Sequence, residues 1–168
     1  MPPLIFDQYR FKSQFGVSKE CIRKLELYEN LISKWQEKVN LISKVSAQDL
    51  WKRHFFDSAQ LLNFIEKTEK VLVDLGSGAG FPGLVLALKF VESGGPRVHL
   101  VEANKKKALF LNEANQILNT NAIILLNFKH YKILYNYLLC ISQNMNLLYL
   151  MCARYLFSCQ DKSVYNCY

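Results

Sequence analysis

The stretch Val71–Leu88, VLVDLGSGAGFPGLVLAL, runs branched aliphatics into one acidic residue, turns on glycines, and resumes an apolar run behind a proline. Four of the chain's seven glycines fall within positions 76–83. Lys70 to Leu75 is short and almost continuously apolar, as expected of a parallel strand buried on both faces. Behind the turn a helix is expected from about Pro82 to Val91. Proline suits a first helical turn, where its missing N–H would have no intrahelical partner. Strand, glycine turn and helix together make a ligand-binding corner of an α/β sheet.

The next question is which ligand. Gly78-Ala79-Gly80-Phe81-Pro82-Gly83 satisfies G-x-G-x-x-G, but the dinucleotide pattern starts where the strand ends. Here that is Gly76, from which the text reads G-x-G-x-G. Asp74 stands at the strand's carboxyl end, and a pyrophosphate docked on helix N–H groups is disfavoured beside a carboxylate. A nucleotide-dependent oxidoreductase is therefore the disfavoured reading. S-adenosylmethionine has no phosphate; it carries a sulfonium, an ammonium and one carboxylate. Asp74 suits the cations, and backbone N–H groups of the turn suit the carboxylate. Gly76, Gly78 and Gly80 let the backbone approach without a Cβ in the way.

Outward from the turn the pattern extends in both directions. Gly94-Gly95-Pro96 ends the helix, and Arg97–Glu102 reads as a second strand closed by an acid. Glu102 sits where a carboxylate accepts both ribose hydroxyls of a nucleotide. Asn104 caps a third helix burying Phe110, Leu111, Ala114, Ile117 and Leu118, and Ala122–Leu126 reads as a third strand. Strand, helix, strand, helix, strand is half of a doubly wound sheet. Upstream, Ser18 is a plausible N-cap for a helix with Ile22, Leu25, Tyr28, Ile32, Trp35, Val39 and Ile42 on one face. Ser46-Ala47-Gln48-Asp49 has the form of a capping box opening a second helix. That helix is expected to bury Leu50, Trp51, Phe55, Leu61, Leu62 and Ile65. His54 and Asp57, at i and i+3, are expected to hydrogen-bond as a structural pair.

The expected organisation is an N-terminal helical extension over residues 1–66, a βαβαβ cofactor-binding half over 67–126, and an atypical tail over 127–168. After Pro96 the chain has no Gly or Pro, and after Ala122 its only acidic residue is Asp161. A doubly wound sheet needs punctuation where strands meet helices, and the tail offers only asparagines. A shifted reading frame would produce such text. The second half of the sheet is therefore expected to be missing or degenerate, leaving the first strand as an edge, and a truncated or frameshifted, inactive remnant is the alternative reading of the chain.

Net charge is +7, which favours polyanionic partners, since each Lys or Arg set against a phosphate releases condensed counterions. Lys105, Lys106 and Lys107 are candidates for such contacts. Five cysteines show no C-x-x-C and no metal spacing with the three histidines, so reduced thiols and no metal are expected. No apolar run approaches the ~18–20 residues of a membrane span. The N-terminus lacks the pattern of a secretory signal. A cytoplasmic monomer is expected.

Four segments, Leu31–Trp35 (LISKW), Val39–Ile42 (VNLI), Arg53–Ser58 (RHFFDS) and Asp74–Gly83 (DLGSGAGFPG), carry a further signal. Together they resemble the small-subunit ribosomal RNA methyltransferase G family, also called glucose-inhibited division protein B, over about residues 20–122. The resemblance implies a Rossmann-like S-adenosylmethionine-dependent fold and methylation of a guanine N7 in 16S ribosomal RNA of the small subunit. It maps the family's cofactor contacts in the turn onto Gly76 and Phe81. Guanine N7 has an in-plane lone pair and loses no proton on methylation, so no catalytic base is expected. The family's acidic stretch near the adenine has no counterpart in Leu126–His130, and its Arg-Ala segment is only faintly matched by Cys152–Phe157.

Overall fold

The computed structural model describes residues 8–66, 68–126 and, for the backbone, 147–151. Four parallel strands form one sheet in the order β3-β2-β1-β4, with β1 at Val71–Leu75, β2 at Arg97–Glu102, β3 at Ile123–Leu126 and β4 at Leu147–Met151. Val71 lies opposite Arg97 on one side and Leu147 on the other. Strand β1 is thus internal, not the edge expected from the sequence. The expected α/β, Rossmann-like class holds, and β4 supplies a strand on the side that was expected to be missing. The rest of 127–168 lies outside the described residues.

Both faces of the sheet are buried, which is why β1 and β2 read as near-continuous apolar runs. Leu72, Val98 and Leu100 face the helices, while Val71, Val73 and Val101 form a separate apolar cluster. The helix after the turn, α5 (Gly83–Ser93), ends at Gly94 with φ 70°. The helix between β2 and β3, α6 (Lys105–Leu118), starts on the Asn104 side chain, which accepts from the amides of Lys106 and Lys107. It buries Phe110, Leu111, Ala114 and Leu118, but Ile117 is on its exposed side, contrary to expectation.

The N-terminal extension begins with α1 (Gln8–Phe15), which the sequence reading omitted, and continues with α2 (Lys19–Gln36). Ser18 caps α2 as expected, accepting from the Cys21 amide at 3.0 Å. The helix stops sooner than its apolar period suggested. Gln36 Oε1 accepts from the Leu41 and Ile42 amides at 2.9 and 3.1 Å, and its Nε2 donates to the Ile42 carbonyl at 2.8 Å. One side-chain amide therefore does what another helical turn would have done, and Leu41 and Ile42 are buried from a turn.

The short α3 (Lys44–Ala47) is capped by Ser43, whose oxygen accepts from the Ser46 amide at 3.1 Å. The expected capping box at Ser46 is not used, because Ser46 itself donates to the Ser43 carbonyl. Residues 51–64 are helical throughout, as a π-helical stretch at Trp51–Phe56, α4 at Asp57–Gln60 and a 3-10 turn at Leu61–Phe64. Trp51 and Phe55 are buried in it, whereas Leu61, Leu62 and Ile65 are half-buried.

Aromatic packing ties the extension to the sheet's helices. Phe110 of α6 lies 5.8 Å from Trp35 and 6.2 Å from Tyr28, and Trp51 packs edge-on against Phe55 at 4.9 Å. Each tryptophan indole also finds a carboxylate, Trp35 donating to Glu113 at 2.8 Å and Trp51 to Glu29 at 2.9 Å. Cys21, the one cysteine among the described residues, is a buried free thiol that burial pushes up to about 12. It has no reactive thiolate at neutral pH.

Candidate cofactor site

The strand order reverses between β1 and β4, and parallel sheets bind ligands in the crevice beyond the carboxyl ends of strands at such a point. The glycine turn stands there. Gly76, Gly78 and Gly80 all have left-handed backbone angles, with φ of 73°, 57° and 85°. The turn is held from inside: the Gly76 and Ser77 amides donate to the Val101 carbonyl at 2.8 and 3.1 Å, and Gly80 donates to the Ser77 carbonyl at 2.6 Å.

The two candidate carboxylates anchor this turn from opposite sides. Glu102 Oε2 accepts from the Gly78 amide at 2.8 Å, and its Oε1 accepts from the Asn104 amide at 2.7 Å. Each oxygen keeps a lone pair for a further donor, which is what paired ribose hydroxyls require. Asp74 is fully buried; its Oδ2 accepts from the Gly83 amide at 3.1 Å, at the start of α5, while Oδ1 has no partner among the described residues. Burial pushes this carboxyl up to about 7, against the Gly83 N–H and the nearby Ser77 hydroxyl, which itself donates to the Asp74 carbonyl at 2.9 Å, with the Glu102 charge adding to the rise. A buried carboxylate oxygen without a donor is costly, and an ammonium or other cation would relieve it. The residues present therefore fit a cationic cofactor. They fit less directly the expectation that turn amides receive a carboxylate, since those of Gly76, Ser77, Gly78, Gly80 and Gly83 are already engaged.

The glycines divide by purpose. A Cβ on Gly78 would meet nothing closer than the Gly76 carbonyl at 3.7 Å, so this position is open. On Gly80 it would strike the Tyr28 hydroxyl and lie 2.6 Å from Leu84 and 3.1 Å from Leu111. On Gly83 it would strike Leu100 and lie 2.7 Å from Asp74 Oδ2. Gly80 and Gly83 are thus glycine for the packing of α2 and α5 against the turn and sheet.

Gly76, Gly78 and Phe81 line a cleft of about 280 Å³ together with Ile42, Ser43 and His54. Larger hollows of about 410 and 610 Å³ lie where α5 ends and β2 begins, around Phe90, Gly95 and Pro96. Those are at the amino ends of the strands, away from the switch point, and the smaller cleft is the relevant one. The His54 ring stacks on Phe81 at 4.6 Å with its Nε2 buried and unpartnered among the described residues, and burial lowers its pKa despite the Asp57 charge. The expected His54–Asp57 hydrogen bond is replaced: Asp57 accepts from Gln60 at 3.3 Å. Lys105 and Lys106 are exposed at the start of α6. Residues 127–130 and the Cys152–Phe157 segment lie outside the described residues.

The turn, Asp74 and Glu102 lie together as the sequence suggested, and Ile42 and Ser43 join them on the cleft without having been expected there. Ile42 and Ser43 reach the cleft only because Gln36 ends α2, a local competition that apolar spacing does not show. Tyr28 was read as one more residue of an apolar face, yet its hydroxyl donates to the Ala79 carbonyl inside the turn. A phenol on an otherwise aliphatic stripe was the available signal, since a buried Tyr hydroxyl usually finds a partner.

A family model described as rRNA small subunit methyltransferase G (GidB) matches residues 21–148. The chain belongs to that family. Among curated proteins it is 49% identical over 114 residues to the ribosomal RNA small subunit methyltransferase G of Rhodospirillum rubrum, covering 68% of this chain and 55% of that protein. It is 44% identical over 124 residues to the enzyme of the same name from Rhodospirillum centenum, covering 74% and 56%. To the Rickettsia akari protein it is 44% identical over 109 residues, covering 65% and 55%. The chain therefore spans a little over half the length of these relatives. The GidB family match runs past residue 122, where the resemblance was expected to end, and into β4. Together with the pairing of β4 on β1, it leaves the truncated or out-of-frame remnant without support.

Proposed function

We propose that this chain binds S-adenosylmethionine at the Asp74–Phe81 turn and serves methyl transfer to N7 of a guanine in 16S ribosomal RNA, as a cytoplasmic monomer acting on the small ribosomal subunit. The observation that carries the reading is the unpartnered, buried Asp74 Oδ1 beneath a glycine turn at the sheet's switch point. Family membership adds the substrate class that the names of the relatives state.

In this reading Glu102 receives the ribose hydroxyls, Gly76, Gly78 and Phe81 form the wall against which the cofactor lies, and Gly80 supports that wall from behind. Asp74 offsets positive charge from below. When bound, S-adenosylmethionine supplies a methyl on a sulfonium, open to in-line attack by a lone pair. The guanine nitrogen loses no proton, so the chain's task is orientation and no side chain is needed as a base. The surplus of basic side chains gives the long-range attraction for RNA.

Calorimetric titration of the purified chain with S-adenosylmethionine and with a nicotinamide dinucleotide tests the cofactor. Binding of the first and none of the second is expected; the reverse would return the site to the oxidoreductase reading. Transfer of labelled methyl to small-subunit RNA, followed by chemical cleavage at N7-methylguanine, tests the reaction. Label appearing on another base or another atom would overturn the guanine-N7 assignment.

A further inference from the structure

We propose that Tyr28 is a positioning residue, through whose hydroxyl α2 holds the glycine turn in the shape that receives the cofactor. The hydroxyl donates to the Ala79 carbonyl, across 51 positions of sequence. The peptide between Ala79 and Gly80 is then fixed at both ends, because its N–H donates to the Ser77 carbonyl at 2.6 Å. Such a peptide needs fixing. It joins Ala79 to Gly80 at φ 85°, one residue beyond Gly78 at φ 57°, and glycine opposes rotation of a neighbouring peptide less than any other residue.

Tyr28 is built to hold its place. It is fully buried, with its ring 5.8 Å from Phe55, 5.5 Å from Phe81 and 6.2 Å from Phe110. One of these partners, Phe81, is itself a wall of the cleft. Burial, followed by the Asp74 charge, raises the hydroxyl pKa well above its ordinary value, so it stays a donor across the working range of pH. The absence of a Cβ at Gly80 is what admits the hydroxyl to the turn. The extension thus shapes the donor site without touching the donor.

The consequence for cofactor binding rests on the proposed S-adenosylmethionine reading, whereas the effect on the turn does not. The test substitutes Tyr28→Phe in the full chain, keeping the ring and removing the hydroxyl. Leu25→Ala, one helical turn earlier on the same buried face, serves as a control for general destabilisation. In the free protein, amide hydrogen exchange at Gly80 should quicken roughly five- to tenfold in Tyr28→Phe. It should stay near the parent's in Leu25→Ala, although that variant melts at a lower temperature. S-adenosylmethionine should then bind Tyr28→Phe about three- to tenfold more weakly, and Leu25→Ala within about twofold of the parent. Unchanged Gly80 exchange in Tyr28→Phe, or equal quickening in Leu25→Ala, overturns the positioning role. A quickened turn that still binds the cofactor with parental affinity overturns the claim that this shape matters for binding. A parent that fails to bind the cofactor overturns the proposed function instead, and the exchange result alone then decides the role of Tyr28.

Discussion

Burying the Asp74 carboxyl with one oxygen unpartnered makes the folded chain sensitive to pH in a defined direction. Its folded pKa of about 7 lies above the ordinary 3.8, so between those values the folded state binds more protons than the unfolded one. Stability from this group is therefore greatest below the ordinary value, falls as pH rises towards 7, and is level above. Asp74→Asn should flatten that decline and raise stability by on the order of 2 kcal/mol at about pH 8, measured by urea unfolding across pH. The same substitution should weaken S-adenosylmethionine binding about ten- to a hundredfold. A variant that gains stability and keeps its affinity would mean that the orphan oxygen serves no cation. The neighbouring glycines should separate just as cleanly. Gly80→Ala places a methyl against Tyr28, Leu84 and Leu111 and should cost on the order of 3 kcal/mol, whereas Gly78→Ala meets open space and should cost only about 1–2 kcal/mol of left-handed strain. Equal losses in chemical denaturation would show that the crowding at Gly80 is relieved by movement of the turn.

Elements were legible where one strong signal stood alone. Ser18 and Asn104 each cap the helix they were expected to cap, and the glycine pair at 94–95 ends α5 as read. Errors arose where two local signals competed. The apolar period of α2 continues through Val39 and Ile42, yet Gln36 satisfies the backbone of Leu41 and Ile42 and turns the chain. At the next helix, Ser46 was expected to open a capping box, but Ser43 caps the helix and Ser46 donates back to the Ser43 carbonyl. Gln36→Ala should therefore do more than an exposed helix-end substitution ordinarily does. With three hydrogen bonds to buried backbone lost, a cost of about 2 kcal/mol is expected in thermal or urea unfolding. Protease susceptibility should appear between residues 37 and 46, the wall of the cleft. A cost within about 0.5 kcal/mol would show that the turn is held by the burial of Leu41 and Ile42 alone.

For the whole molecule, the half of the sheet built from β1, β2 and β3 could be read from apolar runs and glycines, but the arrival of β4 beside β1 could not. Leu147–Met151 sits in text with no glycine or proline, so nothing marks it off as a strand. What places it is tertiary: β1 is buried on both faces and needs a partner for the backbone groups on its second side. Removing the chain after Leu126 should leave β1 as an open edge. Such a product is expected to aggregate and to lose cooperative unfolding by circular dichroism. A soluble, cooperatively melting product would show that β4 is dispensable to the fold.

The pairing of each tryptophan with a glutamate has an optical consequence. Trp35 and Trp51 are the chain's only tryptophans, and both belong to the N-terminal extension; one is tied to α6 through Glu113, the other to α2 through Glu29. Indole emission in this protein is therefore a gauge of how the extension is seated, and it is silent about the strands. Far-ultraviolet dichroism, in contrast, reports on helices and sheet alike. Whether the two signals are lost together on heating tells whether the extension and the sheet melt as one cooperative body or the extension lifts away first.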